Sequence, residues 1–413
     1  MPATYITGTD WRRGLIIETA TISNFVEDVR DEVVGWRRHL HQNPELSFQE
    51  EKTSKFVYET LKSFGGLELS RPTPTSVVAR LFGGKPGRTI AIRADMDALP
   101  IMEENDFEFV SKNPGIMHAC GHDGHTAMLI GTAKILCEMR EEIRGEVRFV
   151  FQHAEEVHLG GAEELVEAGV MDGVDAVIGA HLSSYLEVGK IGVGYGPRNA
   201  ALDTFRIVVK GEGGHAARPH RAVDSIAIGA QLVTNLQHIV SRNTDPLDSV
   251  VVSVTRFVGG TTHNVIPGSV EMEGTARTLD EGVQERLPRT MERIIEGIVE
   301  AHGASYLLEY QRGPRPVVND EGVTAVVEET AREVFGEASV EAMRPSMGAD
   351  DFSAYQRVVP GCFFLVGARN EEMGITYQHH HPRFAIDEDA LGNGVKMYLY
   401  ATFKLLDKTG SGA

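Results

Sequence analysis

Three histidines, a cysteine and an aspartate fall within nine residues of this chain, Met117-His118-Ala119-Cys120-Gly121-His122-Asp123-Gly124-His125. Thiolate and imidazole ligate borderline-soft divalent metals, and a Cys-x-His step places two donors on one side of a turn. By itself that step serves a buried core as readily as a metal site. A second polar cluster, Phe151-Gln152-His153-Ala154-Glu155-Glu156, ends an apolar run. Within a strand adjacent carboxylates face opposite ways, but in a loop beyond a strand both can turn inward. One then binds metal while the other takes a proton from an activated water and later protonates the leaving group. Two further histidine sites, His181 and the triplet His379-His380-His381, also stand beside apolar runs. With Cys120, His122 and Glu156 they offer enough ligands for two ions, and ions about 3.5–4 Å apart activate water and polarise a carbonyl oxygen in one step.

Elements that would position these groups follow from the hydrophobic pattern. Asn24–Leu40 reads as a helix broken by His41-Gln42-Asn43-Pro44, and Glu50–Phe64 as a second helix ended by Gly65-Gly66. The apolar runs Thr89–Ile92, Val147–Phe151, Ala176–Ala180 and Cys362–Val366 read as buried strands. Alternating strands and helices predict an α/β catalytic domain, a mixed and mostly parallel sheet with helices on both faces. Open sheets of this kind bind ligands beyond the carboxyl ends of their strands, where the polar clusters lie.

Between residues 198 and 312 the pattern changes to strand (Thr204–Lys210), helix (Ala222–Ser241), strand (Ser249–Phe257), strand (Ser269–Thr278), helix (Glu281–His302) and strand (Ser305–Gln311). This β-α-β-β-α-β order predicts an inserted α+β, ferredoxin-like domain. Val223, Ile226, Ala230, Val233, Leu236 and Val240 would form the core face of its first helix. The turn-rich segments Gly196-Pro197-Arg198-Asn199 and Gly313-Pro314-Arg315-Pro316 mark its borders, leaving 1–197 and 313–413 to the catalytic domain.

Composition limits the function. A chain of 413 residues suggests two domains, and 42% hydrophobic with 24% charged residues is the balance of a globular enzyme. Forty basic against 59 acidic residues gives −19, with no basic run, so nucleic acid and anionic membranes are not expected partners. Cys120, Cys137 and Cys362 form no disulfide framework, which fits a reducing cytoplasm. Met1–Thr21 has no apolar export segment, and no later stretch approaches a membrane span of about 18 apolar residues.

Seven phrases carry a family resemblance: Arg37-Arg38-His39-Leu40-His41-Gln42-Asn43-Pro44-Glu45-Leu46, Arg93-Ala94-Asp95-Met96-Asp97-Ala98-Leu99-Pro100, the Cys120 cluster, Ala154-Glu155-Glu156, Gly213-Gly214-His215-Ala216-Ala217-Arg218-Pro219, Asn264-Val265-Ile266-Pro267 and Gly348-Ala349-Asp350-Asp351-Phe352. In order, from about Trp36 to Asp387, they resemble the amidohydrolase branch of the aminoacylase/carboxypeptidase metallohydrolases. That branch includes hippurate hydrolases, N-acetyldiaminopimelate deacetylases and plant hydrolases of indole-acetyl amino-acid conjugates. The resemblance implies two divalent ions per subunit, manganese or zinc with cobalt or nickel open, bridged by Cys120 and completed by His122, Glu156, His181 and His380. Glu155 would be general base and acid, and His215 an oxyanion donor offered across a homodimer whose inserted domain is lid and interface. Asn264 and Arg277 would contact the substrate, though Asn264-Val265-Ile266-Pro267 also reads as a plain turn before a strand. Where related families carry His-x-Asp, this chain has Arg93-Ala94-Asp95, so His122 replaces the lost ligand and Asp95 stands behind the ligands or in a turn.

Two positions depart from the branch: His153 replaces a proline, read as filling space, and His181-Leu182-Ser183-Ser184 lacks one. The expected activity is hydrolysis of small N-acyl amino acids. A di-metal peptidase cutting dipeptides or C-terminal residues is the alternative. A non-catalytic binding relative has no need of Glu155, and a cysteine hydrolase built on Cys120 would survive chelation.

Overall fold

The computed structural model describes residues 19–158 and 160–407. The reading of Met1–Thr21 therefore lies almost wholly outside the described residues, among which no helix is long and apolar enough to cross a membrane. In chain order the elements are α1 (Thr19–Gln42), α2 (Glu51–Phe64), β1 (Glu68–Ser70), β2 (Val77–Phe82), β3 (Lys85–Asp95), α3 (His122–Glu138), β4 (Arg144–Gln152), α4 (Gly161–Glu167), β5 (Ala176–Glu187), β6 (Ile191–Val193) and β7 (Gly196–Asn199). There follow β8 (Ala201–Lys210), β9 (Gly214–His215), α5 (Ser225–Arg242), β10 (Val250–Gly259), β11 (Val265–Ile266), β12 (Ser269–Thr278), α6 (Glu281–Ala301) and β13 (Ser305–Gln311). The chain closes with β14 (Val317–Asn319), α7 (Glu321–Phe335), β15 (Val340–Ala342), α8 (Ser353–Gln356), β16 (Gly361–Arg369) and α9 (Asp389–Asp407).

The large sheet runs β1-β2-β4-β3-β5-β16-β6-β15. Its central strands β4, β3, β5 and β16 pair in parallel, while β1, β2 and the β16–β6 pair add antiparallel margins. Parallel strands are buried on both faces, which explains their unbroken apolar sequence. Along β4 the side chains alternate between two cores: Val147, Phe149 and Phe151 enter one, with α1, α2, α3, α7 and α9, and Val150 the other, with α4 and α8. The sheet is thus covered by helices on both faces, as the apolar runs predict.

The second sheet is antiparallel, in the order β10-β12-β8-β13, with α5 and α6 on one face. Strict alternation along β8 and β12 sends Phe205, Ile207, Val209, Val270 and Met272 to the helices. The other face carries Arg206, Arg256, Glu271 and Glu309 in ion pairs. Asp224 and Asp280 cap α5 and α6 by accepting backbone N–H bonds. The buried stripe of α5 is Ile228, Leu232, Leu236 and Ile239, whereas Ile226 and Val240, read from sequence as core, face outward. Apolar residues stand on more than one side of this helix, so packing against the sheet is what settles its facing.

Two linkers join this unit to the large sheet, and Asp203 ties them together. Its carboxylate accepts from Gln284 Nε2 (2.7 Å), the Gly313 N–H (3.1 Å) and the Tyr310 hydroxyl (2.7 Å), while Leu202 N–H donates to Pro314 O.

The start of α3 packs closely on β5. A methyl group at Gly124 would overlap Leu182 Cδ1 and crowd Ile386 and Leu391. Gly124→Ala should therefore cost about 1–3 kcal/mol in denaturant unfolding. A neutral result would mean that α3 can slide on the sheet.

Candidate metal centre

Gly121, with φ 91°, occupies the left-handed region and turns the chain into α3, bringing Cys120 and His122 to the same pocket. His122 opens α3 with Nδ1 on Asp97, 3.0 Å from its carbonyl oxygen and 3.2 Å from Oδ1. A proton on Nδ1 leaves the Nε2 lone pair free, and Nε2 is buried without a hydrogen-bond partner. His181 is held the same way: Nδ1 donates to Leu182 O (2.8 Å) and Nε2 lies 3.5 Å from Cys120 Sγ. It does not follow the end of a strand as expected, because β5 continues to Glu187. Pairing of β5 with β3 stops at Gly179, however, so His181 still faces a cleft between strands.

Glu155 and Glu156 lie in the loop after β4, just beyond Ala154 at φ 52°, a left-handed conformation uncommon for alanine. Glu156 Oε1 lies 3.3 Å from His380 Nε2 and 3.9 Å from His122 Nε2. His380 is also left-handed, with φ 64°. Of its neighbours, His379 accepts from Ser184 N–H (3.1 Å) and His381 stacks on Tyr377, so His380 alone of the triplet turns to Glu156. The missing proline after His181 has a use here, since a proline at residue 184 would have no N–H to give His379.

Two three-donor groups result, Cys120–His122–His181 and Cys120–Glu156–His380, each with donor atoms within 4.8 Å of one another and sharing the Cys120 sulfur. Ligands about 2.0–2.3 Å from a tetrahedral ion sit about 3.3–3.7 Å apart, close to the spacings found. The electrostatics agree. Burial pushes the Cys120 thiol well up, and the carboxylates of Glu156, Glu155 and Asp95 push it further, so a thiolate here needs a cation. Burial would lower His122, but Asp95 and Asp97 overcome it and raise the imidazole to about 10. Burial, then Asp350, Glu156 and Asp351, hold Glu155 well above the usual carboxylate range. His379 goes the other way, lowered to about 3 by burial and then by His380, and stays a neutral acceptor.

Beneath the donors lies a buried network that the sequence reading passed over. Asp95 is no turn residue: it ends β3, fully buried, bonded to Arg93 and, at 2.6 Å, to His125 Nδ1. Orientation of His122 falls instead to Asp97. Arg93 also donates to Gln152 (2.8 Å) and Asp351 (2.9 Å) and lies 3.6 Å from Asp350, which with Asp351 flanks Glu155. The alternation of a strand puts Arg93 and Asp95 on one face, so that pair was legible. His153 does more than fill space: it is buried, with Nε2 3.1 Å from Glu164 and Nδ1 3.4 Å from Thr73.

A cavity of about 470 Å³ opens over the donors, lined by Glu155, His158, Leu202, Arg277, Pro314 and His380 among others. Arg277 donates one guanidinium nitrogen to Met347 O (2.8 Å). His215 and Asn264 do not line it. They are exposed at the short antiparallel pair β9–β11, which joins two segments distant in the chain: Val265 pairs with His215 and Ala216 N–H donates to Asn264 O.

A family model described as peptidase family M20/M25/M40 matches residues 91–404. An N-acyl-L-amino acid amidohydrolase of Geobacillus stearothermophilus is 67% identical over 302 residues, 73% of this chain and 82% of that protein. Thermostable carboxypeptidase 2 of Saccharolobus solfataricus is 42% identical over 390 residues, 94% of this chain and 98% of that protein. The crystal structure of a Bacillus subtilis dinuclear metal-binding peptidase from the M20 family superposes with TM-score 0.81 at 38% identity, covering 93% of this chain and 100% of that one. The chain belongs to the M20/M25/M40 peptidase family, a family of hydrolases that act on amide bonds.

Replacing Arg93 by methionine would leave Asp95, Asp350 and Asp351 without the cation they share, and should cost about 3–5 kcal/mol in urea unfolding. A loss below about 1 kcal/mol would mean that those carboxyls are already neutral in the fold.

Proposed function

We propose that this protein is a metal-dependent amidohydrolase that cleaves small N-acyl amino acids with two divalent ions held by Cys120, His122, Glu156, His181 and His380. The observation that carries this reading is the meeting of two three-donor groups at one buried sulfur, with the Glu155 carboxylate beside them. The names of the relatives support the substrate class: an N-acyl-L-amino acid amidohydrolase and an N-acetylcysteine deacetylase, the latter 45% identical over 363 residues. Thiolate with imidazoles suits zinc, and the carboxylates leave manganese, cobalt and nickel as candidates. When bound, the ions lower the pKa of water and polarise the amide carbonyl. Glu155 takes the proton of the attacking water and passes it to the departing nitrogen. Arg277, with part of its guanidinium facing the cavity, holds the substrate carboxylate. The three cysteines are free, which fits the cytoplasm.

Since His215 and Asn264 lie outside the cavity of their own chain, we place them in the site of a second copy. The small domain supports this reading through its outer surface. Strand β10 is an edge of its sheet, and Val251, Phe257 and Val258 on it, with Ile226 and Val240 on α5, are exposed. Apolar side chains beside an unpaired backbone edge suit pairing with another chain.

Amine release from N-acetyl, N-benzoyl and indole-acetyl amino acids and from dipeptides tests the substrate class. Release confined to the acyl-amino acids is expected; release confined to dipeptides would favour the peptidase reading that the carboxypeptidase relative keeps open. Glu155→Ala should lower kcat about 10²–10⁴-fold. Chelation should abolish turnover and divalent ions should restore it, whereas a thiol hydrolase would survive the chelator. Mixing inactive Glu155→Ala and His215→Ala chains should restore about a quarter of wild-type activity if the histidine acts across a dimer. No restoration on mixing would place His215 elsewhere.

A further inference from the structure

The residue before α2, Glu50, is wholly buried, yet its side chain does not cap its own helix. Its Oε1 instead accepts two backbone N–H groups: that of Phe48 (3.1 Å) and, 104 positions along the chain, that of Ala154 (2.8 Å). Both donors belong to left-handed residues, Phe48 at φ 64° and Ala154 at φ 52°. Among the described non-glycine residues only these two and His380 have positive φ. A left-handed non-glycine residue costs on the order of 1–2 kcal/mol and persists where its surroundings over-determine it.

The surroundings of Ala154 do so. Its carbonyl accepts from Gly161 N–H (3.0 Å), the preceding His153 ring is wedged against Phe48 and bound to Glu164, and Glu156 N–H donates to Asp97 Oδ2 (3.0 Å). Glu155 therefore sits on a short span anchored at both ends by buried carboxylates, Glu50 on one side and Asp97 on the other. Loss of the Glu50 anchor lets Ala154 relax toward negative φ, which turns the peptide that carries Glu155.

We propose that Glu50 is a positioning residue, which keeps Ala154 left-handed through the shared Oε1 and so aims the Glu155 carboxylate at the reacting atoms. The proposal rests on the reading of Glu155 as the base. Displacing a reacting group by about 1 Å costs on the order of 10²-fold in rate.

The test uses the metal-loaded full chain and the acyl-amino acid that it hydrolyses fastest. Glu50→Ala should lower kcat about 10–100-fold. KM should stay within about twofold, because the substrate contacts are untouched. Metal content per chain should equal that of wild type. Glu50→Gln keeps an oxygen acceptor for both N–H groups and should restore kcat to within about threefold of wild type. Glycine adopts positive φ without penalty, so Ala154→Gly added to Glu50→Ala should recover part of the lost kcat. Unchanged kcat in Glu50→Ala would overturn the proposal, as would a loss that tracks metal content or melting temperature, or a double variant without recovery. An active Glu155→Ala would instead remove the reading of the base, whereas an inactive Glu155→Ala beside a fully active Glu50→Ala would remove this inference alone.

Discussion

An excess of buried negative charge sits where four parallel strands end, and the rest of the molecule is arranged around it. Asp95, Asp97, Glu155, Glu156, Asp350 and Asp351 converge there with the Cys120 thiol, against the single guanidinium of Arg93 and a set of imidazoles. Buried carboxylates are tolerated only when paired or hydrogen-bonded. All but Glu155 have a cationic neighbour, a ring nitrogen or a backbone N–H group close by, and Glu155 stands 4.0 Å from His122 Nε2 beside the two donor groups at Cys120. The same electrostatic demand that raises the His122 imidazole would draw divalent cations.

The scaffold meets this demand through backbone position rather than through long side chains. Parallel strands deliver Asp95, the Glu155–Glu156 loop and His181 to one level of the sheet, and the start of α3 brings Cys120 and His122 over them. Orientation is then set by backbone groups: carbonyls at Asp97 and Leu182 fix the tautomers of His122 and His181, and Ser184 N–H draws His379 away from the donors. Local strain accompanies this arrangement. The three non-glycine residues with positive φ among the described residues stand beside the base, beside Glu50 and at the last donor.

The smaller unit works on different terms. It has its own core and joins the large sheet through two linkers tied by Asp203, while one wall of the cavity belongs to it through Leu202 and Arg277. Its outward apolar residues are found on α5 and the β10 edge, and His215 and Asn264, exposed at the β9–β11 pair, do not line the chain's own cavity. A substrate closed between the two units would lose water on both sides, which strengthens each polar contact made to it.

The sequence by itself determined the central strands of the large sheet, the element order of the smaller unit and the types of chemistry available. Strands buried on both faces must be continuously apolar, alternation in β8 and β12 must follow the pleat, and Cys, His and Glu side chains are present for metal and proton chemistry whatever the fold. Asp97 and Glu50 were not legible as partners of His122 and Ala154, because nothing in linear spacing connects residues that are far apart in the chain and meet only when helices settle on a sheet. The outward face of α5 was misread for a related reason, since Ile226 and Val240 are apolar side chains beyond the buried stripe and their type alone does not declare which side meets the sheet. Tertiary structure alone decided that His379 accepts from Ser184 N–H, that His381 stacks on Tyr377, and that His153 pairs with Glu164. Those choices depend on angles and distances between separate elements, which are set by packing and by the balance of buried charge rather than by the order of residues.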